Sequence, residues 1–389
     1  MTEYVRLGDV ANISAGGTPS RGKSEYWDNG TIPWVKIGDI HGKYVTDTEE
    51  KITVEGLKNS SAKIFPKGTI LFSIFATLGD VGILEIEAAT NQAIAGLQFD
   101  GCVDTNYAYY YLSSLKTVVE RKGRGAAQQN INQKILKNLE IPLPPLEEQK
   151  RIAAALDKMS SVIAKRKRQI ALLDEAAKSL FVEMFGDPVE NPMGWEEVSL
   201  SKCLNSIENG KSFVCDSEKR KGTAPAVLKL SAATYGYYQP EENKAIISES
   251  QFIAKAEVHA GDLLFTRKNT PELVGMCAYV FSTPEKLMMP DLIFRLNTNS
   301  HCNKLFLWML INHDLFREKI RCLASGSAKS MSNISKKSLN NLEIPLPPLD
   351  LQNLFAARIE ALEAQRASCE RGLKQMETAF AAMMQEYFE

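Results

Sequence analysis

The sequence predicts a duplicated α+β protein: two globular domains separated by two long antiparallel coiled-coil helices and related by a pseudo-twofold internal repeat. Three observations predict it. Residues 130–149 and 333–352 are identical at 14 of 20 positions, including an unbroken Asn-Leu-Glu-Ile-Pro-Leu-Pro-Pro-Leu at 138–146 and 341–349. Ahead of each copy lie short apolar runs punctuated by glycine, proline and asparagine, the composition of a mixed domain rather than a helical one. After each proline segment, apolar residues recur at alternating steps of three and four, as a coiled-coil seam requires.

The globular elements come first. A chain of 389 residues exceeds what one hydrophobic core usually organises, so two units are expected. Upstream of the proline segment the repeat offset is 193 instead of 203. Leu7 matches Leu200, Val35-Lys36-Ile37 matches Leu228-Lys229-Leu230, and Gly68, Leu71, Phe72 and Gly82 match Gly261, Leu264, Phe265 and Gly275. The second copy therefore carries a net insertion of ten residues. Runs at 69–75 and 262–266 read as strands, and 107–121 and 304–322 as helices. The Pro-Leu-Pro-Pro segment cannot be helical, because proline lacks an amide donor and restricts its predecessor. It predicts an extended, stiff exit from each domain.

The long helices follow. Ile152, Leu156, Met159, Ile163, Ile170, Leu173, Ala177, Leu180 and Met184 form the first seam, broken at Arg166. Ile359, Leu362, Cys369, Leu373, Met376, Phe380, Met383 and Tyr387 form the second, broken at Arg366. A helix of roughly 38 residues reaches about 57 Å and, being amphipathic, needs a partner. Antiparallel pairing of the two supplies one. Under it each arginine either snorkels to solvent or, as a buried cation, sets register or meets an acidic partner. The expected boundaries are 1–145, 146–186, 187–348 and 349–389.

Composition excludes several classes. Hydrophobic residues make up 44 % and charged residues 24 %, and no apolar run approaches the roughly 20 residues of a membrane span. The start Met1-Thr2-Glu3-Tyr4-Val5-Arg6 lacks a secretory pattern, which points to the cytoplasm. Seven scattered cysteines and four histidines form no ligand-spaced set, so no metal is expected. A net charge of −1 argues against indiscriminate polyanion binding and directs attention to local basic clusters.

Residues 17–24 match the phosphate-loop pattern G-x-x-x-x-G-K-S literally. The chemistry of that motif needs a helix amino terminus behind the loop, whereas Glu25-Tyr26-Trp27-Asp28-Asn29-Gly30 is poor helix material. A polar surface loop that touches nucleic acid through Thr18, Arg21 and Lys23 is the better reading. No nucleophile elbow, H-E-x-x-H or base-flipping tetrapeptide is present, so the chain reads as non-catalytic. Polar and basic residues gather elsewhere in loop-like places: Arg124, Gln128 and Gln129; Lys219 and Arg220; Arg267, Lys268 and Asn269; and Lys329. Arginine and lysine neutralise phosphates or read guanine, while asparagine and glutamine bond adenine. The plain alternative for each is a solvated loop. Lys36 and Lys229 sit in matching apolar strands, where snorkelling explains them as well as contact does. The run Lys165-Arg166-Lys167-Arg168 reads as a solvated helix face.

These residues resemble the specificity subunit of type I restriction-modification enzymes, and the resemblance covers nearly the whole chain. Its marks are Leu7-Gly8-Asp9-Val10, Gly16-Gly17-Thr18-Pro19-Ser20 followed by Tyr26-Trp27 and Ile32-Pro33-Trp34, and the repeated I-P-L-P-P-L leading into Glu147 to Leu156. The resemblance implies that each globular module is a target recognition domain reading half of a bipartite double-stranded DNA site. It also implies that the helices act as a ruler and dock two modification subunits. This chain then holds no cofactor; the modification subunits bind S-adenosylmethionine, and the restriction subunits use ATP and magnesium. Lys211-Ser212-Phe213 replaces the Gly-Thr-Pro loop, and Asp350-Leu351-Gln352 replaces Glu-Glu-Gln, so the half-sites are expected to differ. A scaffold that holds partners without reading sequence is the competing expectation, and an enzyme using residues 17–24 is a third.

Overall fold

The computed structural model describes residues 3–74, 79–122, 133–325 and 331–388, with the side chains of 116–122 left out. The chain forms two compact units, Met1–Lys167 with Arg371–Glu389, and Arg168–Glu370. Each unit thus joins one globular domain to half of each long helix. The division falls in mid-helix, whereas the boundaries expected at 145, 186 and 348 mark where globular segments meet the long helices. Among the described residues no helix is long and apolar enough to cross a membrane.

In the first unit a five-stranded sheet runs Ala11–Ala15, Ile94–Phe99, Ile70–Ser73, Val81–Leu84, Tyr44–Val45 in spatial order. A four-stranded sheet runs Glu50–Ile52, Ile32–Val35, Ala88–Thr90, Ile64–Phe65. The strand Ile70–Ser73 is buried on both faces, and its period-2 alternation feeds two cores. Ile70 and Phe72 pack with Tyr107 and Leu112 of the helix Thr105–Lys122, while Leu71 packs with Val35, Val45 and Phe65. The second unit repeats this plan: Leu263 and Phe265 join the cluster containing Phe306 and Leu310, and Leu264 joins Leu228 and Val258. Gly68 and Gly261 both adopt φ +87°, a left-handed turn that glycine enters without Cβ strain.

Strand register locates the insertion. Ile94 lies opposite Ser73, and Ile293 lies opposite Thr266, so six of the ten extra residues fall between Gly275 and Ile293. The other four lie beyond the start of the following helix. That helix is continuous over Thr105–Lys122 in the first unit but splits into Lys304–Asn312 and Arg317–Cys322 in the second.

The repeated proline segment is a strand, not a free exit. Glu140–Leu143 pairs antiparallel with Glu3–Arg6, and Glu343–Leu346 with Glu196–Ser199. Pro142 and Pro345 are tolerated because these are two-stranded ribbons with edges to spare. The carbonyls of Pro145 and Pro348 then accept from first-turn amides of the helices, Glu148 N at 2.8 Å and Gln149 N at 3.1 Å in one copy, Leu351 N at 3.0 Å and Gln352 N at 3.1 Å in the other. Both glutamine side chains are fully buried. Gln149 Nε2 donates to the carbonyls of Cys102 and Pro144, and its Oε1 accepts from Asp104 N at 2.8 Å. Gln352 does the same with His301, Pro347 and Asn303 N, again at 2.8 Å. One amide thereby locks helix start, proline strand and neighbouring helix together in each copy.

The long helices run over Leu146–Phe185 and Leu349–Phe388, 40 residues each. Within each unit their halves pack antiparallel: Lys167 meets Glu377 at 2.8 Å in the first, and Arg366 meets Asp174 at 3.0 Å in the second. The seam alone does not account for their burial. Phe181, Phe185 and Phe355 are at most 3 % exposed and pack on Phe306 or on one another, a second apolar face turned to the globular domain. Arg366 follows the acidic-partner reading. It is bound by Asp174, Glu363 and Glu370, and its guanidinium lies 3.8 Å over the Tyr237 ring. Burial pushes the Glu363 carboxyl up to about 7 despite Arg366. Arg166 is half-buried.

Candidate nucleic-acid interface

In the first unit the loop after Ala11–Ala15 is held from beneath by two indoles. Trp34 Nε1 donates to Gly17 O at 3.0 Å and Trp27 Nε1 to Ser20 O at 3.1 Å. The two rings meet edge to face at 5.0 Å. Only a three-residue 3-10 turn, Ser24–Tyr26, follows the loop, so the phosphate-loop pattern here has no helix amino terminus behind it. Arg21 stacks 3.8 Å from the Trp27 centroid and pairs with Glu50. Lys36 reaches the same Glu50 at 2.8 Å and Glu49 at 2.6 Å. Arg21 chiefly, and Lys36 after it, hold the Glu50 carboxyl below its ordinary value against the opposing effect of partial burial. Glu49 and Glu50 hold the Lys36 ammonium above its ordinary value. The outcome is a loop whose half-exposed cations are pre-oriented, Arg21 on tryptophan and Lys23 on the Tyr26 hydroxyl at 2.9 Å. A guanidinium fixed this way keeps its planar fork while losing little further entropy on contact.

The corresponding loop of the second unit departs from this arrangement. Register aligns Ala15 with Asn209, since Ala95 and Phe294 are their partners; a one-residue irregularity between Leu204 and Ser206 shifts the local offset to 194. Thr18 and Gln92 are bonded side chain to side chain, and so are their counterparts Ser212 and Asp291. Thr18 thus belongs to a loop-closing bond that both copies keep. Arg220 is turned inward along its chain, donating to Ala224 O at 3.3 Å and Glu285 O at 2.7 Å. Lys219 and Lys221 beside it are exposed. Lys229 pairs with Glu242 at 3.6 Å, the counterpart of the Lys36 pairing.

Lys268 and Asn269 form a short strand paired to Ser332–Asn333, with Arg267 immediately before it. Arg267 donates to Asn333 Oδ1 at 3.1 Å and lies 5.0 Å from the Phe294 centroid. Asn269 is 7 % exposed and donates to Thr234 Oγ1 at 3.2 Å, so in this conformation its amide shapes the loop instead of facing outward. Arg124, Gln128, Gln129 and Lys329 lie outside the described residues. Sequence reasoning missed Glu50 as the shared partner of two cations, because nothing local singles out one carboxylate 29 residues from Arg21. It also missed the buried glutamine, although Gln149 and Gln352 are identical in the repeat and so carried a signal.

A two-unit protein with a repeated frame and divergent polar loops has counterparts among known proteins. The family described as Type I restriction modification DNA specificity domain matches residues 2–174 and 192–377, and this chain belongs to that family. It is 32 % identical over 228 residues to the specificity subunit of the type I restriction enzyme MjaIX of Methanocaldococcus jannaschii, covering 53 % of this chain and 52 % of the relative. The specificity subunit of EcoR124I/EcoR124II of Escherichia coli matches at 30 % identity over 41 % of each chain. The chain thus spans about half, or somewhat less, of the length of these two curated relatives, whereas the MjaVIII specificity subunit aligns over 93 % of this chain and 86 % of its own at 25 % identity. In fold it is similar to the S subunit of the type I restriction-modification system of M. genitalium, with a TM-score of 0.59, 16 % identity and coverage of 100 % and 96 %.

Proposed function

We propose that this chain is the DNA-reading, non-catalytic subunit of a type I restriction-modification complex. Each unit takes one half of an asymmetric bipartite duplex site. The long helices set the spacer and seat two modification subunits, which bind S-adenosylmethionine, and restriction subunits join with ATP and magnesium. The observation that carries the reading is the contrast within the repeat. Frame bonds recur, as with Gln149 and Gln352, while the polar loops they position hold different side chains. Symmetric docking with asymmetric reading needs that combination, because base contacts specify whereas the frame only orients.

Methylome sequencing of a host expressing the chain with its modification subunit tests this. The expected result is one interrupted adenine-methylated motif with unlike halves, and removal of two turns from both helices is expected to change its spacer. A methylome without an interrupted motif sinks the reading in favour of a scaffold that reads no sequence.

A further inference from the structure

In the second unit, where the strand Leu204–Asn209 ends, a cleft of about 450 Å³ opens between that strand, the turn Ala254–Ala256 and the start of the helix Lys336–Asn340. Three lysines, Lys211, Lys255 and Lys336, line it, together with Glu208 and Asn209. The Glu208 carboxylate pairs with Arg295 at 3.1 Å, a guanidinium it shares with Asp262 at 3.0 Å, so three lysines face the one carboxylate that lines the cleft. Lys336 donates to Ile207 O and lies 5.7 Å from the Phe294 ring that Arg267 also covers. Among the described residues no ion pair engages Lys211 or Lys255, and both are exposed. Three like charges around one cleft repel unless an anion sits among them.

The first unit shows that this arrangement is not part of the frame. Gly210 N bonds Ile293 O and Lys211 N bonds Met289 O, as Gly16 N bonds Ile94 O and Gly17 N bonds Thr90 O. Lys211 therefore stands at the place of Gly17. The bridge of Glu257 to Met288 matches the pair Ile64 and Ala89, which puts Lys255 at the place of Ala62. The matching short helices Gln133–Lys137 and Lys336–Asn340 put Lys336 at the place of Gln133. None of the three counterparts is charged. The place is also closed: a Cβ on Gly17 would lie 2.3 Å from Ser61 Oγ and 2.4 Å from Ala62 N, too close for any side chain.

We propose that this cleft seats a phosphodiester group of the DNA backbone, held by Lys211, Lys255 and Lys336, and that the equivalent place of the first unit, at Gly17, Ala62 and Gln133, has none. The proposal rests on the DNA-reading function above and assigns within it a backbone anchor confined to one half-site. A phosphodiester fits the chemistry: lysine ammoniums are compact point charges that bind phosphate without reading a base.

The test is the salt dependence of duplex binding by the full chain, comparing wild type with Lys211→Gln/Lys255→Gln and with Lys374→Gln on the second long helix as control. On a mixed-sequence duplex the slope of log K against log[KCl] is expected to become shallower by roughly 0.9 for the double variant, the share of the one phosphate contact removed, with no change in the control. Superimposable slopes for wild type and double variant overturn the proposal while leaving the reading function standing. A wild-type chain that binds no duplex at any salt overturns both. Inorganic phosphate that raises the unfolding midpoint of wild type alone, with coincident DNA slopes, makes the cleft a free-anion site and also overturns it. Both substituted side chains are exposed, and the unfolding midpoint verifies the fold; if the double variant unfolds, Lys255→Gln alone carries the expectation of a shallower slope, by at most roughly 0.9, and a slope equal to wild type overturns the proposal.

Discussion

The loop at 16–27 in the first unit and its counterpart beginning at Gly210 leave equivalent strands and are closed by equivalent hydroxyl bonds, Thr18 to Gln92 and Ser212 to Asp291. Beyond that bond they diverge. The first loop rests on Trp27 and Trp34, which stack an arginine in place. The second stands open and lined with lysine, and the position matching Trp34 is Val227. The difference teaches that duplication preserved the anchoring of the loops and released what the loops present. A planar guanidinium stacked on tryptophan is suited to a directed contact, whereas compact ammoniums suit a diffuse phosphate.

The comparison breaks most visibly at Trp34, which is 2 % exposed. Trp34→Ala is expected to cost about 3–5 kcal/mol and to degrade one half of the methylated motif, whereas Val227→Ala should cost clearly less. Thermal unfolding with methylome sequencing reads both, and equal losses would mean that the two loops are supported alike after all. The shared frame is sharpened by a matched pair, Gln149→Ala and Gln352→Ala. Each strands buried backbone groups and should cost about 1–3 kcal/mol, with denaturant midpoints falling by similar amounts; a neutral substitution in either copy contradicts a common clamp.

The smallest effect concerns Glu363, which belongs to the second unit's arginine cluster. Its folded value lies near 7, above its ordinary 4.5. A carboxyl raised in this way contributes stability that is complete below the unfolded value and is lost as pH climbs through the folded one. Glu363→Gln is therefore expected to raise the unfolding midpoint at pH 8, by about 1–2 kcal/mol in stability, and to leave it unchanged or lower at pH 4. A gain that is the same at both pH values argues against the buried carboxyl as its source.

Much of the fold was legible in the residues, and the reasons are specific. The identity of 130–149 with 333–352 announced the duplication, and the three-four spacing announced the long helices, which run over Leu146–Phe185 and Leu349–Phe388. The second helical face was missed because Phe181 and Phe355 fall off the seam and bury against a domain that the seam pattern does not encode. The site was less legible. Arg21, Lys23, Lys36 and Arg220 are equally polar on paper, yet Lys36 is held by two carboxylates and Arg220 by the carbonyls of Ala224 and Glu285, while Arg21 and Lys23 remain half exposed.

By itself the sequence determined the repeat, the helices and the non-helical character of the proline segment, because identity, period and the missing proline amide are properties of neighbouring residues; its pairing as a strand with Glu3–Arg6 and Glu196–Ser199 came from the tertiary structure. Only the tertiary structure decided which polar residues are spent internally and which are left to meet a ligand. Charge partners are chosen by distance in space: Glu50 reaches back 29 residues to Arg21, and Asp174 in one long helix finds Arg366 in the other. The lysine cleft exists for the same reason. Three residues scattered over 211–336 acquire a common purpose only when strand, turn and helix bring them to one opening.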